Sequence, residues 1–329
     1  MGKTDTLAKK YISNNQVFAD AFNFYLYDGK QVINPEELRP MDTTAISVPF
    51  KDGTKGNPIQ KYRDIIKYVT AMEDGKTAYL VLGIENQTNI HYAMPPRNQL
   101  YDALEYTRQV EQIAAYHREN NHKELTSSEY LSGFGKTDQL IPVITLVIYF
   151  GAEKWDAPRS LHEMLTVQSK EILSYVNDYK LNLIVPAELS KEDFEKFHTD
   201  LREVMQYIQY SVDKKKLSAF VENNVHFTKM DRNAAMLLNE CTKSGLKFKK
   251  SGECVDMCKA IKEIRQEEYE TGRKEGRAEG REEGRQEGLK ESVKRMIKKG
   301  KLSLLDIAEN LNMSLEEVQK IEETMKDNI

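Results

Sequence analysis

Apolar positions early in the chain recur at helical spacing (Val17, Ala21, Phe22, Tyr25 and Leu26), which predicts a first helix over residues 7–27 ending near Asp28-Gly29. The period then changes from 3.6 to two. Residues 43–50 read as a strand, and residues 63–72 and 77–87 read as two more, joined across Asp74-Gly75, the strongest hairpin signal in the chain. Tyr79-Leu-Val-Leu-Gly-Ile84 is almost continuously apolar, as in a strand buried on both faces, yet it ends on a carboxylate, Glu85. Beyond Met94-Pro95-Pro96 helical spacing returns over residues 97–120 (Leu100, Leu104, Val110, Ile113, Ala114). Residues 141–150 are dense in β-branched side chains and read as a central strand. Helix, three strands, helix and strand in that order predict an α/β fold, an open mixed sheet flanked by helices.

After Trp155 the pattern is mainly helical. Residues 181–185 form one more strand candidate, Ser190-x-x-Asp193 is a capping-box start for a helix reaching about Val212, and helices over 232–244 and 253–270 would brace the sheet. The composition then shifts: Gly272, Gly276, Gly280, Gly284 and Gly288 recur every four residues. Arg273, Arg277, Arg281 and Arg285 lie on one flank and Glu275, Glu279, Glu283 and Glu287 on the other. Glycine costs a helix roughly 1 kcal/mol against alanine. Neighbours four apart here are Arg with Arg and Glu with Glu, so a single helix gains nothing from its charges.

Two readings follow. In a parallel homodimer through Gly272 to Gly288 the glycine seam permits close approach, and the Arg row of one helix meets the Glu row of the other. A four-residue step overshoots the helical turn by about 40°, which limits that contact to a few turns. In the other reading the segment is a frayed, charged linker.

The last stretch carries two capping signatures, Ser303-x-x-Asp306 and Ser314-x-x-Glu317. They predict a helix-turn-helix-like hairpin with Leu304, Ile307, Ala308 and Leu311 packed on Leu315, Val318 and Ile321. Its second helix is acidic (Glu316, Glu317, Glu322, Glu323), which suits a protein contact better than a phosphate backbone. The expected organisation is a core over 1–188, a helical extension over 189–270, the repeat as helix or linker over 271–300, and the hairpin over 301–329.

The 329 residues carry a net charge of −4 with 30% charged side chains, so any contact with nucleic acid must be local. Basic clusters such as Lys214 to Lys216 read as solvated faces. Three cysteines without CxxC spacing fit reduced thiols. The start lacks the apolar core of a signal peptide, and the longest apolar run, residues 140–150, is too short to cross a bilayer. A soluble cytoplasmic protein with no membrane association is expected. No HExxH, P-loop or GxSxG motif occurs, which argues against a zinc protease, an NTPase with a nucleotide cofactor, or a serine hydrolase. His117 and His122 lack the ββα setting of a His-Asn-His nuclease and read as surface histidines.

The hairpin carries the chemistry. A two-residue turn at Asp74-Gly75 pairs positions whose numbers sum to 149, which sets Asp64 against Glu85. Opposed side chains lie roughly 5 Å apart, and two like charges there destabilise the sheet unless something positive joins them. Mg²⁺, commonly held by one or two carboxylates and substrate phosphates, is the simplest resident. Gln87 shares the face of Glu85. The alternative is a pair of acids on a solvated strand face.

With Arg63-Asp64, Leu82-Gly-Ile-Glu-Asn-Gln87, Met94-Pro-Pro-Arg97 followed by Tyr101, and Pro142-Val-Ile-Thr-Leu-Val-Ile-Tyr-Phe-Gly151 leading to Trp155, the chain resembles the Rpn family. These are recombination-promoting nucleases, also described as putative transposases, within the PD-(D/E)xK nuclease superfamily. The resemblance runs from about Val17 to Glu270, and the Gly-Arg-x-Glu tail is also typical. It implies a PD-(D/E)xK nuclease-like core in which Asp64 matches the strand aspartate and Glu85 the glutamate of the Glu-x-Lys motif, both metal ligands. Gln87 stands where most of the superfamily has its catalytic lysine. Arg97 could supply that missing charge, and Asp20 on the first helix could be a further acidic ligand.

The implied activity is a Mg²⁺-dependent (or Mn²⁺-dependent) DNA endonuclease that hydrolyses phosphodiester bonds without a covalent nucleophile and promotes recombination or mobile-element movement. The alternatives are a catalytically inactive nuclease fold that binds DNA or protein, and a dimeric scaffold whose tail and hairpin are the working parts.

Overall fold

The computed structural model describes residues 3–41, 44–47, 59–62, 64–73, 76–120, 125–248 and 252–326. The chain begins with helices α1 (Lys3–Ile12) and α2 (Asn15–Tyr27), followed by strands β1 (Arg39–Pro40), β2 (Thr44–Ser47), β3 (Ile59–Tyr62), β4 (Ile65–Glu73) and β5 (Lys76–Gln87). Helix α3 (Met94–Glu119), a short α4 (Ser127–Ser132), strand β6 (Val143–Tyr149), a turn of helix α5 (Lys170–Leu173) and strand β7 (Asn182–Ile184) come next. The remainder is α6 (Lys191–Phe194), α7 (Leu201–Tyr210), α8 (Lys214–Asn223), β8 (Met230–Asp231), α9 (Arg232–Thr242), β9 (Cys254–Val255), α10 (Met257–Lys299), α11 (Leu304–Leu311) and α12 (Leu315–Lys326). Compact packing divides the chain into two units, Met1–Ala260 and Ile261–Ile329.

In the first unit five strands form one sheet in the order β1-β4-β5-β6-β7. The first three pair antiparallel and the last three parallel, so the sheet is mixed, with β5 at its centre. Centrality explains the apolar run: Leu80, Val81, Leu82 and Ile84 are all buried. Strands β4 and β5 pair from Ile65↔Ile84 to Glu73↔Lys76, every pair summing to 149. The turn residues Asp74 and Gly75 lie outside the described residues. The β5 to β6 connection runs through α3, as a parallel crossover requires.

Helices cover both faces. On one, the Asp102 carboxylate of α3 accepts a hydrogen bond from Thr145 Oγ1 on β6 at 2.6 Å. On the other, the buried Lys67 ammonium donates to the Ser13 carbonyl at 2.8 Å and Asn15 Oδ1 at 2.6 Å, and sits 4.6 Å from the centre of the Phe18 ring. Phe18, Phe22, Leu82, Ile84 and Leu146 are buried at the centre of this layer. Strand side chains alternate, so Gly83, Glu85 and Gln87 share the α3 face and Leu82, Ile84 and Asn86 the α1–α2 face.

Three predicted helices are drawn differently. The helix expected over 7–27 is broken at Ser13-Asn14, because the Asn14 side chain accepts from the Gln16 N–H at 2.9 Å and starts α2 as a cap. The Ser190/Asp193 capping box forms, yet its helix stops at Phe194 and a second begins at Leu201. Between them the backbone N–H groups of His198 and Thr199 turn to the Asp20 carboxylate instead of continuing the helix. The helix expected over 253–270 starts at Met257 and runs 43 residues, through the whole glycine repeat.

Strand β2 falls inside the expected 43–50, whose residues 43 and 48–50 lie outside the described residues. Strands β1, β3, β8 and β9 and helices α4, α5 and α8 were not foreseen; the strands are four residues or fewer, too short for a period to register. The strands expected over 141–150 and 181–185 are β6 and β7. Among the described residues no helix is long and apolar enough to cross a membrane.

In the second unit the end of α10 packs with α11 and α12. Val293, Ile307, Ala308, Val318 and Ile321 are buried together, with Met296, Ile297, Leu304 and Leu311 against them. Both serine caps form: Ser303 and Ser314 accept from the N–H of Asp306 and Glu317 and receive the reciprocal carboxylate contact. Leu315, expected inside, is 36% exposed.

Candidate functional site

The site lies where β5 leaves the sheet. Asp64 directly precedes β4, and continuing the β4–β5 register by one residue sets it against Glu85. Each acid reaches across to the other's strand. Asp64 Oδ2 accepts from the Asn86 N–H at 2.9 Å, and Glu85 Oε1 lies 3.4 Å from the Asp64 N–H. Both carboxylates are thereby fixed by backbone at one end of the hairpin, and Glu85 is wholly buried.

A buried carboxylate needs a counter-charge. Arg97, in the first turn of α3, provides one: its Nη2 lies 3.2 Å from Glu85 Oε2 and its Nε donates to the Tyr101 hydroxyl at 3.1 Å. The guanidinium carbon is 5.6 Å from the centre of the Tyr101 ring. Arg97 and Tyr101 stand four apart, one above the other on the face of α3 that meets the sheet. Burial works against the Arg97 charge, but Glu85 and Tyr101 outweigh it and its pKa rises. Burial and Glu85 likewise push the Tyr101 hydroxyl upward, against the pull of Arg97.

Burial also raises the Asp64 pKa, opposed by the Asn86 N–H and by the charges of Lys9 and Arg97 and reinforced by Asp5. Asp5 and Lys9 come from α1, whose Asp5 Oδ1 accepts from Thr88 Oγ1 at 3.1 Å just beyond the end of β5. Two helices therefore bring charge to this edge of the sheet.

Of the residues singled out in the sequence, Asp64, Glu85 and Arg97 are brought together. Gln87 lies two positions on from Glu85 on the same face, half-buried, beside Tyr149 in the β5–β6 register. Asp20 is placed elsewhere: its carboxylate accepts from the N–H groups of His198 and Thr199 at 2.9–3.0 Å and from Thr199 Oγ1 at 2.6 Å. Those donors explain its burial. Tyr101, Asp5, Lys9 and the Asn86 N–H were not identified as site groups. For Tyr101 the i, i+4 spacing from Arg97 was an available signal, whereas α1 reaches the site only through tertiary packing.

A divalent metal fits the donor chemistry. Mg²⁺ takes oxygen ligands, often only one or two carboxylates, and keeps waters and substrate phosphates for the rest. Asp64 and Glu85 supply two carboxylates and Gln87 an amide oxygen on the Glu85 face. Among the described residues no cluster of three or more His, Cys, Asp or Glu side chains suited to a metal occurs. Any ion here would thus rest on the two acids and on non-protein ligands.

A family model described as "Putative transposase, YhgA-like" matches residues 59–237, more than half of the chain. The chain belongs to that family. The matched span holds β4, β5, α3 and β6 and with them Asp64, Glu85, Gln87, Arg97 and Tyr101. Helices α1 and α2, with Asp5, Lys9 and Asp20, lie outside it, as does the second unit. Comparison with curated proteins and with solved structures gave no match.

Proposed function

We propose that this chain is a metal-dependent DNA endonuclease on a PD-(D/E)xK nuclease-like core, serving recombination or mobile-element movement as its family's description implies. The observation that carries the reading is the convergence of Asp64 and Glu85 at the end of a buried central strand. Asp64 and Glu85 would hold Mg²⁺ or Mn²⁺. Such an ion supplies Lewis acidity toward the scissile phosphate and a water acidic enough to attack it at neutral pH.

The chain's own residues do the remaining work. Glu85, wholly buried and paired with Arg97 and the Asp64 N–H, keeps one orientation. Asp64, held by the Asn86 N–H, would serve as the second ligand. Gln87, in place of a lysine, brings a hydrogen-bonding amide to the attacking water but no charge. Positive charge would come instead from Arg97 and Lys9, two cations whose charge favours the Asp64 carboxylate. Both are fixed on helices, which suits them to the charge that develops on the phosphate oxygens.

A pair of centres for the two DNA strands would follow from a parallel homodimer along Gly272 to Gly288. An alanine Cβ built at each of these glycines meets nothing within 4 Å, so the seam is open to a second helix.

A second reading is favoured by one feature: Glu85 already has a cation in Arg97 and Gln87 adds none, as in a fold that binds DNA without cutting it. Supercoiled plasmid incubated with the protein and Mg²⁺ or Mn²⁺ separates the two. Nicking or linearisation by the wild type, absent in folded Asp64→Asn and Glu85→Gln variants, supports the nuclease. Equal cutting by all three removes the site assignment, and DNA binding without cutting establishes the second reading.

A further inference from the structure

We infer that Arg97, braced by Tyr101, is the phosphate-binding cation of this site and the group through which DNA and metal binding are coupled. The inference rests on the nuclease reading above and specifies how its two ligands meet. With Oε1 turned to the Asp64 N–H at 3.4 Å, the Glu85 oxygen left for a divalent ion is Oε2, and Arg97 holds it at 3.2 Å. Arginine and metal therefore compete for one atom.

The two ends of that ion pair are unlike. Glu85 is wholly buried, while the Arg97 side chain is 36% exposed. Glu85 cannot leave the pair, but the guanidinium can turn outward. Tyr101 makes this turn a short one: its hydroxyl holds Nε at 3.1 Å and its ring backs the guanidinium, so the head stays at the mouth of the site when Glu85 is given up. Among the described residues Nη1 has no hydrogen-bond partner. Nη1 and Nη2 together present the planar fork that grips phosphate through two parallel hydrogen bonds, a geometry lysine cannot offer.

The consequence is thermodynamic. A DNA phosphate that draws Arg97 away uncovers Glu85 for the metal, and a metal on Glu85 releases Arg97 for phosphate. Each ligand then tightens the other by one common factor, because linkage is reciprocal. The opposed changes expected on neutralising Arg97 are what distinguish this role from a structural one.

The test measures two affinities separately on the full chain. Mn²⁺ alone is titrated by calorimetry without DNA, and a fluorescent duplex is titrated in EDTA without metal. Arg97→Gln is expected to bind Mn²⁺ about tenfold more tightly and the duplex about tenfold more weakly, within the roughly 5- to 150-fold usual for coupled sites. Tyr101→Phe, which keeps the ring and loses only the hydroxyl, is expected to move both in the same directions by about threefold, on the order of one hydrogen bond.

Unchanged or weakened Mn²⁺ binding in folded Arg97→Gln and Tyr101→Phe overturns the inference, as does unchanged duplex binding. Glu85→Gln separates this from the parent reading. If that variant loses Mn²⁺ while Arg97→Gln is unaltered, only the coupling fails. If Glu85→Gln retains Mn²⁺, the metal site is elsewhere and both fall.

Discussion

Asp64 and Glu85 each use the other strand's backbone to hold their carboxylates, and an amide keeps an oxygen that accepts the same N–H, so Asp64→Asn and Glu85→Gln remove the charge while sparing that contact. Loss of either should lower cleavage by at least about 10²-fold, the usual cost of removing one electrostatic contributor at a reacting phosphate or acyl centre. Single-turnover cutting of a labelled duplex measures it. Asp64 also predicts a pH dependence. Its folded pKa lies above the ordinary aspartate value, so between the two values the folded state binds more protons than the unfolded state. Metal-free protein should therefore lose stability as pH rises through that window, and Asp64→Asn should flatten this slope in denaturant titrations. At this scale the sequence was informative wherever geometry is local. A two-residue turn fixes which residues oppose each other, and a period of two fixes which share a face; Asp64, Glu85 and Gln87 follow from those rules alone. Asp5 and Lys9 do not, since nothing in α1 announces that it will end beside a strand some eighty residues later. Asp20 entered only through the family resemblance, as a candidate ligand, and its placement depends on where α7 begins.

The helix breaks belong to the scale of elements, and each has a polar group at its cause. Lys67 ties the junction of α1 and α2 to β4 through the Ser13 carbonyl and Asn15, and burial pulls its pKa down to about 8. The sign is clear: between about 8 and the ordinary lysine value of 10.5 the unfolded chain binds more protons, so this group makes stability rise with pH across that interval. Lys67→Met, which keeps the apolar stem, should abolish the rise, as unfolding in urea at pH 7.5 and pH 10 will measure. Asp20 is the second tie. Asp20→Ala orphans the His198 and Thr199 donors and should cost about 1–3 kcal/mol of stability, with Mn²⁺ affinity unchanged in calorimetry. Apolar periodicity located nearly every long element because packing imposes it. It ran straight through Ser13-Asn14 and residues 195–200, where a side chain takes backbone donors that the helix would otherwise use.

On the scale of the whole molecule, the first unit supplies the site and the second unit supplies a long helix with an open glycine row and a small packed hairpin. In an isolated chain each of those glycines costs helix stability and meets no neighbour. The proposed glycine-seamed homodimer would give them a use. Replacing Gly276, Gly280 and Gly284 by leucine should convert dimer to monomer in sedimentation equilibrium, whereas a frayed linker would leave the mass unaltered. The hairpin was readable because its caps and its apolar spacing agree; the continuity of α10 was not, because glycine and like-charge spacing both argue locally against a helix. The claim at the centre of all this is a metal held by two acids at the end of β5, and crystals soaked in Mn²⁺ test it most directly. An anomalous difference peak bonded to the carboxylates of both Asp64 and Glu85 is the predicted result; a peak elsewhere, or none there in crystals of protein that cuts DNA, would contradict it.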